Sequence, residues 1–196
     1  SVATSAENAL ITANGGNSRC KSTKYRHYSS NTSGGSGGRV ALYSSGTGGS
    51  SQWGVGFEYP QNASSLENIK KKINSFGGNG LSSDCGELSS GGAGTIFLKH
   101  SDFKGSLLVF NNPNNNYVNN KYGYTYVDGA LDVGTLDVGD GSIAYIKNNL
   151  TTSHKSLYGN LLSMRLKNGL VVTDGVMTPS MYDLNFDMSL EAPEDL

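Results

Sequence analysis

Apolar residues in this chain alternate within short runs and do not recur at helical spacing. Val40 and Leu42, with Ser44, fall on one side of one run, and Ile96 and Leu98 on one side of another, the pattern of half-buried strands. Leu107-Leu108-Val109-Phe110 reads as a short apolar strand closed by Asn111-Asn112-Pro113. That closure is a turn signal, because Asn tolerates left-handed backbone and Pro has no N–H to give to a ladder. Ser64-Ser65-Leu66-Glu67 fits a capping box, and Leu66, Ile69 and Ile73 share one helical face. Ile73 also opens a repeat unit, so a helix and a short turn fit this segment equally well.

The chain says one phrase twice. Ile11-Thr12-Ala13-Asn14-Gly15-Gly16-Asn17 leads through a polar loop into Gly34-Gly35-Ser36-Gly37-Gly38-Arg39-Val40-Ala41-Leu42-Tyr43. Ile73-Asn74-Ser75-Phe76-Gly77-Gly78-Asn79 leads likewise into Gly91-Gly92-Ala93-Gly94-Thr95-Ile96-Phe97-Leu98-Lys99. The openings run from 11 to 73, a step of 62, and the glycine-led strands from 34 to 91, a step of 57. A quieter repeat of 34 residues aligns Leu136-Asp137-Val138-Gly139-Asp140-Gly141 with Leu170-Val171-Val172-Thr173-Asp174-Gly175. Asp183-Leu184-Asn185-Phe186-Asp187-Met188 alternates once more.

Repeated units that cannot bury their apolar faces alone must stack on their neighbours. The fold expected is therefore all-β: a right-handed, single-stranded parallel β-helix, with loop excursions, spanning residues 1–196 as one domain. Its core is expected at Val40, Leu42, Ile96, Leu98, Leu107, Val109, Leu136, Val138, Leu170, Val172, Leu184 and Phe186. Antiparallel hairpins within residues 34–112 would contradict this reading. Two segments are expected to leave the body: an insertion over 44–72 and an Asn- and Tyr-rich loop over 111–128.

Composition narrows the function. With 15 basic and 16 acidic residues the chain carries a net charge of -1 and is a poor partner for nucleic acid. No apolar run approaches the ~20 residues that span a bilayer, so membrane insertion is not expected. Twenty-seven glycines suit a chain of tight corners. Ser1 rather than Met opens the sequence, and no signal-like segment precedes the repeats, so a mature product or a piece of a longer protein is expected.

The two glycine-led phrases, Ile73-Asn74-Ser75-Phe76-Gly77-Gly78 and the Leu107–Asn112 run together resemble a passage of very large secreted and cell-surface, adhesin-like proteins. There a "GGSGGRIALYY" strand is followed by an "AYGG" corner and a "GGAGTIYLK" strand. The resemblance covers residues 11–112. It implies a right-handed parallel β-helix within a long extracellular chain that serves adhesion or acts as a structural spacer. It carries no catalytic signature. The 44–72 insertion departs from the compact spacing of that passage.

Cys20 and Cys85 occupy matching loops of the two units. Two rungs of ~4.8 Å would leave them about 10 Å apart unless the loops lean along the axis. A disulfide is expected, because two cysteines in an extracellular chain usually pair; free thiols or outside partners are the alternative. Asp132, Asp137, Asp140 and Asp174 accompany glycines, which invites calcium, but their spacing matches no calcium loop and turn chemistry accounts for them. No cofactor is expected. Glu58, Glu67, Asp84, Glu87 and Asp102 offer carboxylates for glycoside hydrolysis, with nothing to hold two of them at the required separation. His27, His100 and His154 lie far apart, with no nucleophile motif nearby.

Asn31, Asn62 and Asn149 head N-glycosylation sequons in polar stretches read as loops. Two aromatic groups, Trp53, Phe57 and Tyr59, and Tyr117, Tyr122, Tyr124 and Tyr126, offer a surface for a sugar or partner; their plainer reading is one side of an ordinary strand. The function expected is a non-enzymatic extracellular structural or adhesion module of a surface protein or filament. Its expected partners are neighbouring domains or identical subunits stacked end to end, and surface glycans. The alternative is a carbohydrate-active protein that binds or cleaves polysaccharide.

Overall fold

The computed structural model describes residues 10–19, 34–44, 52–53, 57–58, 63–81, 90–100, 104–112, 123–152, 164–178 and 186–187. Within them the chain is strand-rich, with mainly parallel sheets and one helix. The elements run β1 (Ile11–Thr12), β2 (Ser18–Arg19), β3 (Arg39–Ser44), β4 (Gln52–Trp53), β5 (Phe57–Glu58), α1 (Ala63–Lys72), β6 (Ile73–Asn74), β7 (Gly80–Leu81), β8 (Thr95–His100) and β9 (Ser106–Phe110). There follow β10 (Tyr124–Val127), β11 (Leu131–Val133), β12 (Thr135–Gly139), β13 (Ile143–Ile146), β14 (Leu150–Thr152), β15 (Met164–Lys167), β16 (Leu170–Thr173), β17 (Met177–Thr178) and β18 (Phe186–Asp187).

In the N-terminal half the second unit lies strand for strand on the first. Parallel pairs join β1 to β6, β2 to β7 and β3 to β8. Ile11 faces Ile73 and Ser18 faces Gly80, the expected step of 62. Arg39 faces Thr95, a step of 56 and not 57. The correction matters because a slip of one residue turns every side chain to the other face. At 56, Val40 meets Ile96 and Leu42 meets Leu98, apolar on apolar.

The glycine runs that feed these strands lie backbone against backbone. Gly35 N–H donates to Gly16 O, Gly78 N–H to Gly35 O, and Gly91 N–H to Gly78 O, at 2.9, 2.7 and 2.9 Å. A Cβ on Gly78 or Gly91 would come within 2.1 Å of a facing backbone oxygen, so side chains at these two positions would hold the segments apart.

The C-terminal half places one strand per unit on each of three sheets, in the orders β10-β13-β16, β11-β14-β17 and β12-β15-β18, all parallel. Tyr124 faces Ile143 and Leu131 faces Leu150, a step of 19. Ile143 then faces Leu170 and Leu150 faces Met177, a step of 27. Between these steps lies the segment 153–163, outside the described residues.

The expected 34-residue repeat is thereby overturned. Leu136 faces Met164 in one sheet, whereas Leu170 faces Ile143 in another. The counterpart of Asp140-Gly141 is Asn168-Gly169. Asp140 and Asn168 both turn the corner in left-handed backbone, at φ 54 and 53, and Gly141 N–H donates to Asn168 O. Leu170 is exposed and shares an outward face with Val172, so neither belongs to the expected core. Leu184 lies outside the described residues.

Strand pairing is not parallel throughout. β4 and β5 pair antiparallel, and so do β8 and β9, where Ile96 faces Leu108 and Phe97 faces Leu107. Both pairs fall within residues 34–112 and overturn the expected uninterrupted parallel coil there; parallel pairing holds on either side of the β8–β9 reversal but not across it. The second reverses strand direction inside the six-stranded sheet β3-β8-β9-β12-β15-β18.

That sheet separates two cores. Ile96, Leu98, Leu108 and Phe110 pack with Ile69, Ile73, Ile11, Val40 and Leu42 on one face. On the other, Leu107, Val109, Leu136, Val138 and Met164 pack with Val133, Ala144, Ile146 and Leu150. The run Leu107–Phe110 is apolar at every position because β9 is covered on both faces.

The 44–72 segment contains β4, β5 and α1. The helix begins at Ala63, so Ser64 lies inside it and not at its cap. Ile69 and Ile73 are buried, and Ile73 is the first residue of β6: helix and repeat unit meet there. Of the 111–128 segment expected to leave the body, Tyr124–Val127 instead forms β10 within a sheet, and 113–122 lies outside the described residues. Cys20 and Cys85 also lie outside them. The strands that precede them, β2 and β7, are direct neighbours, so one strand spacing of about 4.8 Å separates these strands, not two.

Candidate functional site: an outward tyrosine face

The sheet β10-β13-β16 turns one side to the second core and the other to solvent. Alternation fixes which residues go where. Thr125, Ala144 and Ile146 are buried on the inner side. Outward stand two cross-strand columns, Tyr124–Ile143–Leu170 and Tyr126–Tyr145–Val172. Tyr124 is 63% exposed, Tyr126 49% and Leu170 51%. A parallel ladder sets these side chains in register. Tyr126 and Tyr145 accordingly stack with ring centroids 5.5 Å apart and planes 13° from parallel.

A charged row closes one end of the columns. Asp128, Lys147 and Asp174 follow directly after the three strands. Lys147 Nζ lies 3.2 Å from Asp128 Oδ1, and Tyr145 Oη–H donates to Asp174 Oδ1. The Lys147–Asp128 pair is solvent-exposed and contributes at most about 1 kcal/mol. Its hydrogen bond to Asp128 holds the Lys147 ammonium above its ordinary range.

The hydrogen bond to Asp174 raises the Tyr145 hydroxyl above the ordinary value of 10.0, with desolvation and the Asp174 charge adding to it. The raised value favours neutral tyrosine in the fold. Its contribution is complete below the unfolded-state value and is lost as pH rises through the folded-state one. Asp174→Asn is expected to lower the Tyr145 transition toward the ordinary value. An alkaline absorbance titration reads this, with Tyr145→Phe identifying which of the 11 tyrosines is responsible.

A second cluster is buried beneath α1. Lys70 Nζ lies 2.9 Å from Asp137 Oδ1 and 3.9 Å from Glu67 Oε1. Arg165 reaches Glu67 Oε1 at 2.8 Å and Asp137 Oδ2 at 3.3 Å. Asp137 is fully buried, and the Lys70 ammonium sits 4.9 Å from the centre of the Phe110 ring. The helix brings Glu67 and Lys70, β12 brings Asp137 and β15 brings Arg165.

The residues singled out in the sequence are distributed as follows. Tyr124 and Tyr126 stand on the outward face, joined by Tyr145, which only the pairing of β10 with β13 brings beside them. Trp53 faces Phe57 across the β4–β5 pair. Tyr59, Tyr117, Tyr122, Asn31 and Asn62 lie outside the described residues, as do Asp84, Glu87, Asp102, His27 and His154. Asn149 is exposed at the bend before β14, and its Oδ1 accepts from Val176 N–H at 3.0 Å; Thr151 of its sequon lies within β14, not in a loop.

The aspartates read as turn residues have separate partners: Asp132 binds Lys104, Asp137 binds Lys70 and Arg165, and Asp174 binds Tyr145. Among the described residues no three His, Cys, Asp or Glu side chains converge on one point. No helix among them is long and apolar enough to cross a membrane. Comparison with family models, with curated proteins and with solved structures found no match.

Proposed function

We propose that this chain is a non-enzymatic structural or adhesion module of an extracellular surface protein, built as two runs of right-handed parallel coils joined by the antiparallel β8–β9 pair. The observation that carries the reading is the outward tyrosine face: aromatic and aliphatic side chains held in register across three strands of a rigid sheet. Exposed apolar patches on folded proteins commonly mark interaction surfaces, and amphipathic tyrosines are enriched there.

The reversal at β8–β9 fits coils of one hand. Strand direction inverts there, and the core moves to the opposite face of the shared sheet. Inverting both leaves the hand of the winding unchanged, whereas inverting direction alone would make the later crossovers left-handed, which such connections avoid. The same reversal constrains assembly. β3 and β18 are the two edges of the shared sheet and run in opposite directions. End-to-end stacking of identical subunits therefore joins that sheet alone, by an antiparallel pair, and leaves both cores to be covered by neighbouring domains. A Cys20–Cys85 disulfide across the β2–β7 neighbours and glycans on Asn31, Asn62 and Asn149 belong to this extracellular reading.

Retention of the purified chain on immobilised polysaccharides and on immobilised copies of itself tests the proposal. Tyr124→Ser/Tyr126→Ser is expected to weaken retention by roughly thirtyfold, about 2 kcal/mol, with an unchanged thermal midpoint. Unaltered retention would remove the face from the account. Release of new reducing ends from a polysaccharide, abolished by substituting an Asp or Glu, would favour the enzyme alternative.

A further inference from the structure

We propose that Lys70 and Asp137 condense into an intramolecular amide, a covalent tie between the helix of the N-terminal half and a central strand of the C-terminal half. The proposal is independent of the tyrosine face.

The reacting atoms already stand in contact. Lys70 Nζ is 2.9 Å from Asp137 Oδ1, and the two side chains are 6% and 0% exposed. Each is anchored by its own element, α1 and β12, so the encounter is effectively unimolecular and the entropic cost of bringing amine and carboxyl together is already met. The Phe110 ring beside Nζ is part of the apolar surroundings of the pair. A charged pair in such surroundings carries a desolvation penalty that a neutral amide does not.

The remaining members of the cluster fit roles in the step. Nζ, once it has given a proton to Glu67, attacks Cγ of Asp137. Negative charge then gathers on the carboxyl oxygens, where Arg165 already contacts Oδ2. Glu67, whose Oε1 lies 3.9 Å from Nζ and so exchanges protons through one intervening water, returns the proton to Oδ1, and the second proton lost from nitrogen completes the departing water. The balance closes without any other reactant: an ammonium and a carboxylate give an amide and one water. No charge is orphaned, because Glu67 and Arg165 remain 2.8 Å apart as a pair.

Intact mass spectrometry of the purified full chain, after reduction of any disulfide, is the test. The expected mass is one water below that of the sequence, with a branched peptide joining the Lys70 and Asp137 segments. Lys70→Met is expected to restore the full mass. Asp137→Asn is expected to reach the same branched product by loss of ammonia. Glu67→Gln, judged folded by an unchanged circular dichroism spectrum, is expected to retain the uncondensed mass at least tenfold longer. A parent chain of full mass, with Lys70 and Asp137 in separate linear peptides, overturns the proposal whether or not the variants fold. So does a water loss that maps to Asp128, Asp140 or Asp174, since each precedes a glycine and forms a cyclic imide readily. Condensation of Glu67→Gln at the parental rate removes Glu67 from the step.

Discussion

Gly94→Val is expected to abolish folding, while Gly16→Ala, in another of the same glycine runs, is expected to leave stability almost unchanged. A Cβ on Gly94 would overlap Gly38 O and Ser75 Oγ at once, and the Gly38 oxygen is backbone held in the ladder by Thr95 N–H. The Gly38 oxygen cannot yield without separating the first unit from the second. Losses of this origin reach about 4 kcal/mol or more, a large share of the 5–15 kcal/mol that stabilises a typical domain. A Cβ on Gly16 would meet nothing within 4 Å. There the smaller unfolded-state entropy of alanine gains roughly 0.4–1 kcal/mol if the backbone is compatible. Urea denaturation of the two variants decides the matter. Equal stabilities would mean that the glycine runs are not packed backbone to backbone.

The second large effect separates two leucines that the sequence treats as equivalent. Leu136 and Leu170 occupy the same place in the 34-residue alignment, yet Leu136 is fully buried and Leu170 is 51% exposed. Leu136→Ala is expected to cost about 2–5 kcal/mol, because it opens a cavity among Leu107, Val138 and Met164. Leu170→Ala is expected to stay within about 0.5 kcal/mol. Thermal or chemical denaturation of both variants measures the difference. Similar costs would restore the 34-residue register and dissolve the tyrosine face.

These two leucines also show what the sequence could reveal. Strands were legible where one face is buried: Val40 with Leu42, and Ile96 with Leu98, alternate as a half-covered sheet requires; Ile96 and Leu98 sit in the core, and Val40 and Leu42 pack against it half-buried. The strand reversal was not legible, because direction is decided by how the chain turns between β8 and β9, and alternation carries no record of it. A hint was present in Leu107–Phe110, where an unbroken apolar run signals cover on both faces. The true C-terminal step was hidden because the 153–163 segment lengthens one unit and not the other. The 34-residue match then joined strands of different sheets through their shared Asp-Gly ends.

Asp137 was read as turn chemistry, since its charge partners lie 67 and 28 residues away and leave no mark nearby. The tyrosine face was half visible. Tyr124 and Tyr126 stood out as alternating aromatics, but Tyr145 joins them only through the step of 19 residues.

Parallel register sets Tyr126, Tyr145 and Val172 side by side, and nuclear Overhauser contacts in the isotopically labelled chain read that register. Backbone contacts are expected to link Tyr126 to Tyr145 and Tyr145 to Val172 in parallel register, with ring contacts between the two tyrosines and antiparallel contacts between Ile96 and Leu108. Backbone contacts that pair Leu136 with Leu170, or that leave Tyr126 and Tyr145 apart, would contradict it.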